Sequence, residues 1–254
     1  MSISNDDSGK NAANAGFICI GTCLKSADVY CREGYNIIME KKELRAFIRE
    51  KNKNLTEEYR AQADAGIATR FLLYPVFQQV DSIFCYVSME NEPDTRTIIE
   101  TAWQMGKMVT VPRCISMEDS RMEAVQIKSW DDLETGTMGI LEPKQGLPVI
   151  DGYKIALAVV PCVTADRWGG RLGHGAGFYD RWLRGQSMYK YCLCYEELLS
   201  DRVPVDQNDI KMDRVFTEDK IYNPRAQSDD SIQEAMKEAG NLNILSLIKG
   251  LFKR

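Results

Sequence analysis

A buried strand that leads into a glycine-rich turn and then a helix is the feature that most constrains this chain. The apolar run 155–161 (IALAVVP) is typical of a strand covered on both faces of a sheet. The loop after it has five glycines, at positions 169, 170, 173, 175 and 177, and a helix is predicted from Phe178. Glycines let the backbone approach a ligand and turn its N–H groups inward, and the helix N-terminus adds partial positive charge. The segment therefore predicts a phosphate-binding site at the carboxyl end of a central strand.

Strands and helices alternate through the middle of the chain. The predicted helices are 39–52, 55–74, 94–105 and 178–185, and the predicted strands are 82–88, 108–111, 122–127, 155–161 and 189–195. Thr56 is the expected N-cap of the second helix, Pro75 ends that helix, and Pro112 closes the second strand. The apolar stripe of the first helix consists of Leu44, Phe47 and Ile48. This pattern predicts an α/β fold: a single layered domain with a mostly parallel central sheet flanked by helices, in a Rossmann-like three-layer arrangement with the ligand site at the carboxyl ends of the strands.

The two ends of the chain depart from this pattern. Residues 1–38 are polar and hold three basic and four acidic side chains, which predicts a poorly ordered extension rather than a basic transit peptide. Residues 39–225 form the predicted α/β domain. Residues 226–254 are a predicted amphipathic helical tail with a capping box at Ser231 and Glu234. The tail either docks on the domain or self-associates, or else binds a membrane surface or a partner helix.

Charge and hydropathy restrict the partners. The 32 basic and 37 acidic side chains give a net charge of −5, which argues against a nucleic-acid partner because a general nucleic-acid binder needs cations for the phosphate backbone. The longest apolar run, 155–163, is far shorter than the roughly 20 residues that span a bilayer. We therefore expect no membrane-spanning segment, and we expect the partners to be small molecules. The chain is expected to be a monomer or a weak homo-oligomer.

The chain has eight cysteines without a C-x-x-C pair. Several lie in strand-like apolar runs, as Cys85 does, which favours buried free thiols in a reducing cytosol over disulfides. A zinc site built from Cys19, Cys23 and Cys31 is the remaining alternative, but it lacks a fourth ligand. The predicted location is cytoplasmic.

The glycine-rich loop matches neither of two common nucleotide motifs. The position three residues after Gly175 is Phe178 rather than glycine, and no G-K-[ST] follows. A purely structural turn is the alternative, but Arg171, His174 and Asp180 in and beside the loop favour ligand binding. His174 is the only histidine of the chain, and its place in the loop favours contact with substrate or phosphate over general-base action or a structural role.

The run R-L-G-H-G-A-G-F-Y-D at 171–180 resembles the signature of the 5-formyltetrahydrofolate cyclo-ligases, also called methenyltetrahydrofolate synthetases. Further stretches match the same family in order: KKELR (41–45), SMENEPDT (88–95), GKMVTVPR (106–113), GILEP (139–143) and PVDQNDIKMD (204–213). The resemblance covers about residues 39–219.

This resemblance implies an enzyme that converts 5-formyltetrahydrofolate to 5,10-methenyltetrahydrofolate with ATP as co-substrate and Mg²⁺ as cofactor, releasing ADP and phosphate. The formyl oxygen would be phosphorylated first, and the amine at folate position 10 would then close the ring. Phosphoryl transfer depends on positioning and charge neutralisation more than on a covalent nucleophile. The cations, glycines and carboxylates of this chain suit that requirement.

The resemblance also assigns residues. ATP would contact Lys41, Lys42, Glu43, Leu44, Arg45, Arg171, Leu172, Gly173, His174, Gly175, Ala176, Gly177, Phe178 and Tyr179. The phosphate contacts among them would be Lys41 and Arg45. The folate would contact Val87, Glu92, His174, Gly175, Ala176, Gly177 and Phe178. Mg²⁺ would be held by Asp180 and Asp209, whose oxygens suit a hard cation.

Each assignment has a plainer alternative. The basic cluster at 41–45 would otherwise be a solvated helix face, Asp180 a partner of the helix dipole, and Asp209 a turn cap. Lys107 and Arg113 are either anion contacts or surface salt bridges.

Two positions depart from the family pattern. Ala176 stands where some members have a basic residue, and Cys162 stands where many have glycine. Two other functions compete with the ligase: a non-catalytic folate- or nucleotide-binding protein of the same fold, and a dinucleotide oxidoreductase, which the missing third glycine disfavours.

Overall fold

The structure, a computed structural model, describes residues 39–136 and 139–224. The predictions for the extension 1–38, for the tail 226–254 and for a zinc site at Cys19, Cys23 and Cys31 lie outside the described residues. No described helix is long and apolar enough to cross a membrane.

Five α-helices lie within the described ranges. They are α1 (Lys41–Lys53), α2 (Glu57–Leu73), α3 (Pro75–Gln79), α4 (Arg96–Gln104) and α5 (Phe178–Leu183). The predicted N-cap of α2 is confirmed, since the Thr56 side chain accepts a hydrogen bond from the Tyr59 N–H. Pro75 does end α2, but it also begins α3, a short helix that the sequence pattern did not predict. Proline suits the first position of a helix because its missing N–H would have no partner there.

The strands are β1 (Ser82–Cys85), β2 (Met108–Ser116), β3 (Arg121–Ile127), β4 (Leu133–Thr135), β5 (Leu141–Pro143), β6 (Val149–Ile150), β7 (Leu157–Val160), β8 (Thr164–Ala165), β9 (Arg171–Leu172), β10 (Tyr189–Leu193), β11 (Arg214–Phe216) and β12 (Ile221–Tyr222). Eight of them form one sheet in the order β12-β11-β10-β7-β1-β2-β3-β6. The central pairings from β11 to β2 are parallel, and the outer pairings with β12, β3 and β6 are antiparallel. The predicted α/β fold with a mostly parallel sheet is confirmed.

The core of the sheet is β7, where Leu157, Ala158, Val159 and Val160 are all fully buried. This confirms that the apolar run is covered on both faces. Parallel pairing with β1 on one side and β10 on the other places β7 at the centre, so the loop that follows it leaves from the middle of the sheet.

Two local predictions were wrong. The second strand does not close at Pro112 but continues to Ser116. Pairing between β1 and β2 ends at Thr110, so β2 has one neighbour at Pro112 and a residue without an N–H is tolerated there. Phe47 is 54% exposed, whereas Leu44 and Ile48 are buried, because only the side of α1 that carries those two residues packs on the core.

Described cysteines are free thiols. Cys85, Cys162, Cys192 and Cys194 are buried, and Cys114 is half-buried. Burial raises the pKa of the Cys85 thiol above its usual range, so this cysteine is kept as a neutral, apolar packing group.

Candidate active site

A cavity of about 660 Å³ opens at the carboxyl ends of the central strands. Val87, just beyond β1, and Pro161, just beyond β7, both line it. The other walls come from α1, from the glycine-rich loop and from the β2–β3 region. The site therefore lies at the edge of the sheet where open α/β folds bind ligands, as the sequence predicted.

The loop between β7 and α5 is held by a buried carboxylate. Asp166 is 2% exposed, and its Oδ1 accepts hydrogen bonds from the N–H groups of Trp168 at 2.9 Å and Gly170 at 2.8 Å. Its Oδ2 accepts a third from the Val203 N–H at 2.8 Å. Sequence reasoning missed this residue, although an aspartate before a Gly-Gly pair is a recognisable turn signal.

Three glycines of this loop, Gly169, Gly175 and Gly177, have backbone conformations that favour glycine, and the last two lie beside α1 and α5. Gly175 has φ +116°, and a Cβ there would lie 3.6 Å from the Arg45 guanidinium carbon. Gly177 has φ +77° and directly precedes α5. The loop can thus pass close under α1 before the chain turns into the helix.

Helix α1 presents a basic stripe, Lys41, Arg45 and Arg49, to the cavity. The spacing of four residues puts these side chains on one helix face. Lys42 and Glu43 are exposed and Leu44 is buried in the core, and none of these three lines the cavity. Arg49 was missed because it lies outside the matching run, although helical spacing from Lys41 and Arg45 could have found it.

The cations nearest the loop are already paired. The Lys41 Nζ lies 2.6 Å from Asp206 Oδ2 and 2.5 Å from Asp209 Oδ2. Partial burial lowers the pKa of Lys41, but the two carboxylates outweigh this and raise it above its ordinary value. The hydrogen bond from Lys41 lowers the pKa of Asp206 in turn. Arg45 Nε donates to the Gly173 carbonyl at 2.8 Å, which ties α1 to the glycine-rich loop.

A second ion pair lies deeper. The Arg171 side chain is 2% exposed, and its Nη2 donates to Asp180 Oδ2 at 2.7 Å, while Nη1 donates to the Pro161 carbonyl at 2.9 Å. Asp180 Oδ1 also accepts a hydrogen bond from the Ile210 N–H at 3.0 Å. Asp180 therefore neutralises a buried cation and links α5 to the segment that carries Asp209.

The only histidine bridges two loops of the cavity. His174 Nε2 lies 3.2 Å from Glu92 Oε1, and the Glu92 side chain is 8% exposed. Glu92 Oε2 accepts a hydrogen bond from the Met89 N–H at 3.0 Å. The contact joins the glycine-rich loop to the 88–95 segment, so both candidate folate contacts lie in one cavity with Val87.

The rest of the predicted loop residues lie together. Lining the same cavity are Leu172, Gly173, Gly175, Ala176, Gly177, Phe178 and Tyr179. Another part of the lining is apolar and was not predicted; it includes Met117, Met122, Ile140 and Leu141. A cavity with one cationic and one apolar wall suits a ligand that has both characters.

Lys107 and Arg113 do not line this cavity. Lys107 is buried and donates to the carbonyls of Gln78 and Val80, and desolvation lowers its pKa. Arg113 forms an ion pair with Glu123 on the neighbouring strand. The anion-contact interpretation is therefore replaced by a structural role for Lys107 and by the salt-bridge alternative for Arg113.

Asp180 and Asp209 both line the cavity, which brings the two predicted metal ligands to one site. Within the described ranges, no group of three or more His, Cys, Asp or Glu side chains could hold a metal ion. Mg²⁺ is commonly bound through one or two carboxylates together with substrate phosphates, so two aspartates beside an anion-binding loop fit such an ion.

A mostly parallel sheet with a glycine-rich turn, basic side chains and two carboxylates at its carboxyl edge defines an α/β protein with a site for an anionic ligand. The chain belongs to the 5-formyltetrahydrofolate cyclo-ligase family, a family of ligases, whose model matches residues 37–218.

Named relatives agree with this membership. The 5-formyltetrahydrofolate cyclo-ligase of Escherichia coli K12 is 28% identical over 179 residues, which cover 69% of this chain and 98% of the relative. The Mus musculus enzyme of that name is 26% identical, with 70% of this chain and 94% of the relative covered. The 5,10-methenyltetrahydrofolate synthetase of Aquifex aeolicus has a similar structure, with TM-score 0.66 and 27% identity over 75% of this chain and 95% of that one. The Mycoplasma pneumoniae synthetase, with TM-score 0.58 and 20% identity over 71% of this chain and 99% of that one, shares the fold.

Proposed function

We propose that this protein converts 5-formyltetrahydrofolate to 5,10-methenyltetrahydrofolate, using ATP and Mg²⁺ and releasing ADP and phosphate. The observation that carries the proposal is the convergence on one cavity of Lys41, Arg45, the glycine-rich loop and the two carboxylates Asp180 and Asp209. Family membership supplies the reaction, and these residues supply what phosphoryl transfer needs.

The chemistry proceeds in two steps. The formyl oxygen attacks the γ-phosphorus of ATP, so that a new O–P bond forms while the bond to the β–γ bridging oxygen breaks and ADP leaves. The amine at folate position 10 then attacks the activated formyl carbon and loses its proton, and phosphate departs with the former formyl oxygen. Phosphorylation is required because the oxygen of a formamide is a poor leaving group.

Lys41 and Arg45 hold the phosphates in this proposal. Lys41 is already poised beside Asp206 and Asp209, and Arg45 is fixed by the Gly173 carbonyl, so both cations lie where the loop passes α1. Preorganised cations stabilise the charge of the transferring phosphoryl group without reorganising during the reaction. The carbonyl contact of Arg45 uses Nε, which leaves the terminal nitrogens for an anion.

Asp180 and Asp209 would hold Mg²⁺, which, when bound, neutralises phosphate charge. Arg171 has a separate duty: its buried ion pair with Asp180 and its bond to the Pro161 carbonyl keep that carboxylate at the end of β7.

Glu92 and Val87 bind the pterin end of the folate. Glu92 is nearly buried, and its carboxylate is oriented by His174 and by the Met89 N–H, so it can accept hydrogen bonds from a heterocycle's N–H groups. His174 acts here as a ligand contact and as the orienting partner of Glu92. The apolar wall with Met117, Met122 and Leu141 suits the aromatic part of the substrate.

The test is the growth of absorbance near the methenyltetrahydrofolate band after the full chain is mixed with 5-formyltetrahydrofolate, ATP and Mg²⁺. We expect growth with ATP and none in the ATP-free control. Absence of growth while the folate still binds in a parallel titration would replace the enzyme by a non-catalytic folate-binding protein. Absence of both would refute the proposal.

We further propose a cytoplasmic location, because the buried cysteines among the described residues are free thiols, which suits a reducing compartment. A relative from Arabidopsis thaliana, 29% identical over 75% of this chain and 79% of its own length, is named mitochondrial. Fractionation of source cells decides between the two compartments.

Whether the chain is a monomer or a weak homo-oligomer stays a prediction, which sedimentation analysis would test.

A further inference from the structure

The basic stripe of α1 has one member whose role the proposed reaction leaves open. Lys41 is paired with Asp206 and Asp209, and Arg45 with the Gly173 carbonyl. Arg49 lines the same cavity, is exposed, and makes no hydrogen bond or ion pair with any residue of 39–136 or 139–224. An arginine that is left unpaired at the wall of a cavity is available to an anion of the ligand.

Arg49 lies further along α1 than both proposed phosphate-binding residues of that helix, one turn beyond Arg45 and two turns beyond Lys41. It follows Lys41 by eight residues, which is about 12 Å along a helix. One turn further on, the Asn52 side chain donates to the Asn91 carbonyl at 2.9 Å, so this part of α1 is fixed against the turn that carries Glu92. An anion bound at Arg49 is therefore expected to belong to the folate rather than to the phosphates of ATP.

No carboxylate of the described residues pairs with Arg49 at this end of the cavity. Glu92 contacts His174 rather than Arg49, and the neighbouring wall residue Met89 is uncharged. The substrate of the proposed reaction has, beyond its pterin and aminobenzoyl rings, a glutamate with free carboxylates. Arginine presents a planar fork of donors that matches a carboxylate.

We propose, on the basis of the proposed function, that Arg49 binds a carboxylate of the glutamate tail of the folate substrate. The interaction selects glutamate-bearing folates over analogues that end at the aminobenzoyl group. It makes Arg49 a specificity-determining residue and leaves the phosphoryl chemistry to Lys41, Arg45 and the two aspartates.

The test compares Arg49→Gln with the wild type on two substrates, 5-formyltetrahydrofolate and 5-formyltetrahydropteroate, which lacks the glutamate. We expect KM for the first to rise about tenfold, the size of one lost charge-assisted contact, and KM for the second to change less than about twofold. KM for ATP should stay constant. Arg49→Lys, which keeps the charge without the fork, should lie between.

The matched control is Lys53→Gln, because Lys53 is on the same helix, is 72% exposed on its side chain and does not line the cavity. It should leave both KM values unchanged. Melting curves of all variants show whether they fold alike.

Three results would overturn the inference. They are an equal rise in KM for both folates, a rise in KM for ATP alone, and no change in any constant. Equilibrium titration of both folates without ATP tests the same discrimination independently of turnover. If the wild type binds 5-formyltetrahydrofolate without converting it, the proposed reaction fails, whereas a lost preference in Arg49→Gln would still support the tail contact. If the wild type binds neither folate, both proposals fail.

Discussion

Replacing Asp180 with asparagine removes the counter-charge of a buried guanidinium. Arg171 is 2% exposed on its side chain, and its Nη2 lies 2.7 Å from Asp180 Oδ2. Removing one partner of a fully buried ion pair costs about 3–5 kcal/mol. The Asp180 side chain is 19% exposed and asparagine keeps one carbonyl acceptor, so we expect about 2–3 kcal/mol for Asp180→Asn. For a domain of this size that lowers Tm by roughly 5–10 °C.

The same substitution tests the magnesium assignment. We expect Asp180→Asn to remove most turnover and to raise the Mg²⁺ concentration needed for half-maximal rate, measured from methenyltetrahydrofolate absorbance. Asp209→Asn is the matched variant, because the Asp209–Lys41 pair is partly exposed and contributes at most about 1 kcal/mol. Asp209→Asn should therefore lose activity with a melting temperature close to that of the wild type.

Two outcomes would refute this reasoning. An unchanged Tm for Asp180→Asn would show that Arg171 does not depend on Asp180 for its charge balance. Near-normal turnover and an unchanged Mg²⁺ requirement in both variants, at a temperature where they are folded, would remove the two aspartates from the metal site.

The remaining predictions concern the loop and α1. Asp166→Ala leaves three backbone N–H groups without an acceptor, so we expect it to lower the free energy of unfolding, measured in urea, by about 3–5 kcal/mol. Asp166→Asn should lie between Asp166→Ala and the wild type, and equal stability of all three proteins would contradict the prediction. Gly175→Ala forces an alanine to φ +116° beside the Arg45 guanidinium and should cost about 1–3 kcal/mol and raise KM for ATP; an unchanged melting temperature together with an unchanged KM would contradict it. Lys41→Gln should raise KM for ATP about tenfold, or 1.4 kcal/mol, while Lys53→Gln leaves it unchanged; equal effects of the two would reduce Lys41 to a solvated helix face.

Local patterns in the sequence were enough to predict much of the fold. The uniform apolar run of β7 predicted a strand buried on both faces, and Thr56 predicted the start of α2, because side-chain period and capping depend on residues close in the chain. The glycines at 173, 175 and 177 likewise marked the loop of the cavity. Pro112 and Phe47 were misjudged because strand length and helix burial depend on which neighbours pack against them.

The candidate site, too, was predictable from the sequence only in part. Arg171 and Asp180 are nine residues apart, and both were singled out from one motif, but their buried ion pair was not predicted. Lys41 and Asp209 are separated by 168 positions, and only the fold brings them to 2.5 Å. Arg113 was a candidate anion contact from its sequence context, and the pairing of β2 with β3 placed it beside Glu123 instead.

By itself, the sequence determined the class of fold, the loop that carries the chemistry and the family to which that loop points. The tertiary structure decided which cations of the site are paired with other groups, that Arg49 has no partner among the described residues, and which part of the cavity lining is apolar. The physical reason is range: periodicity and turn chemistry act over a few residues and can be recognised along the chain, whereas charge pairing and burial depend on groups that meet only when distant segments pack together.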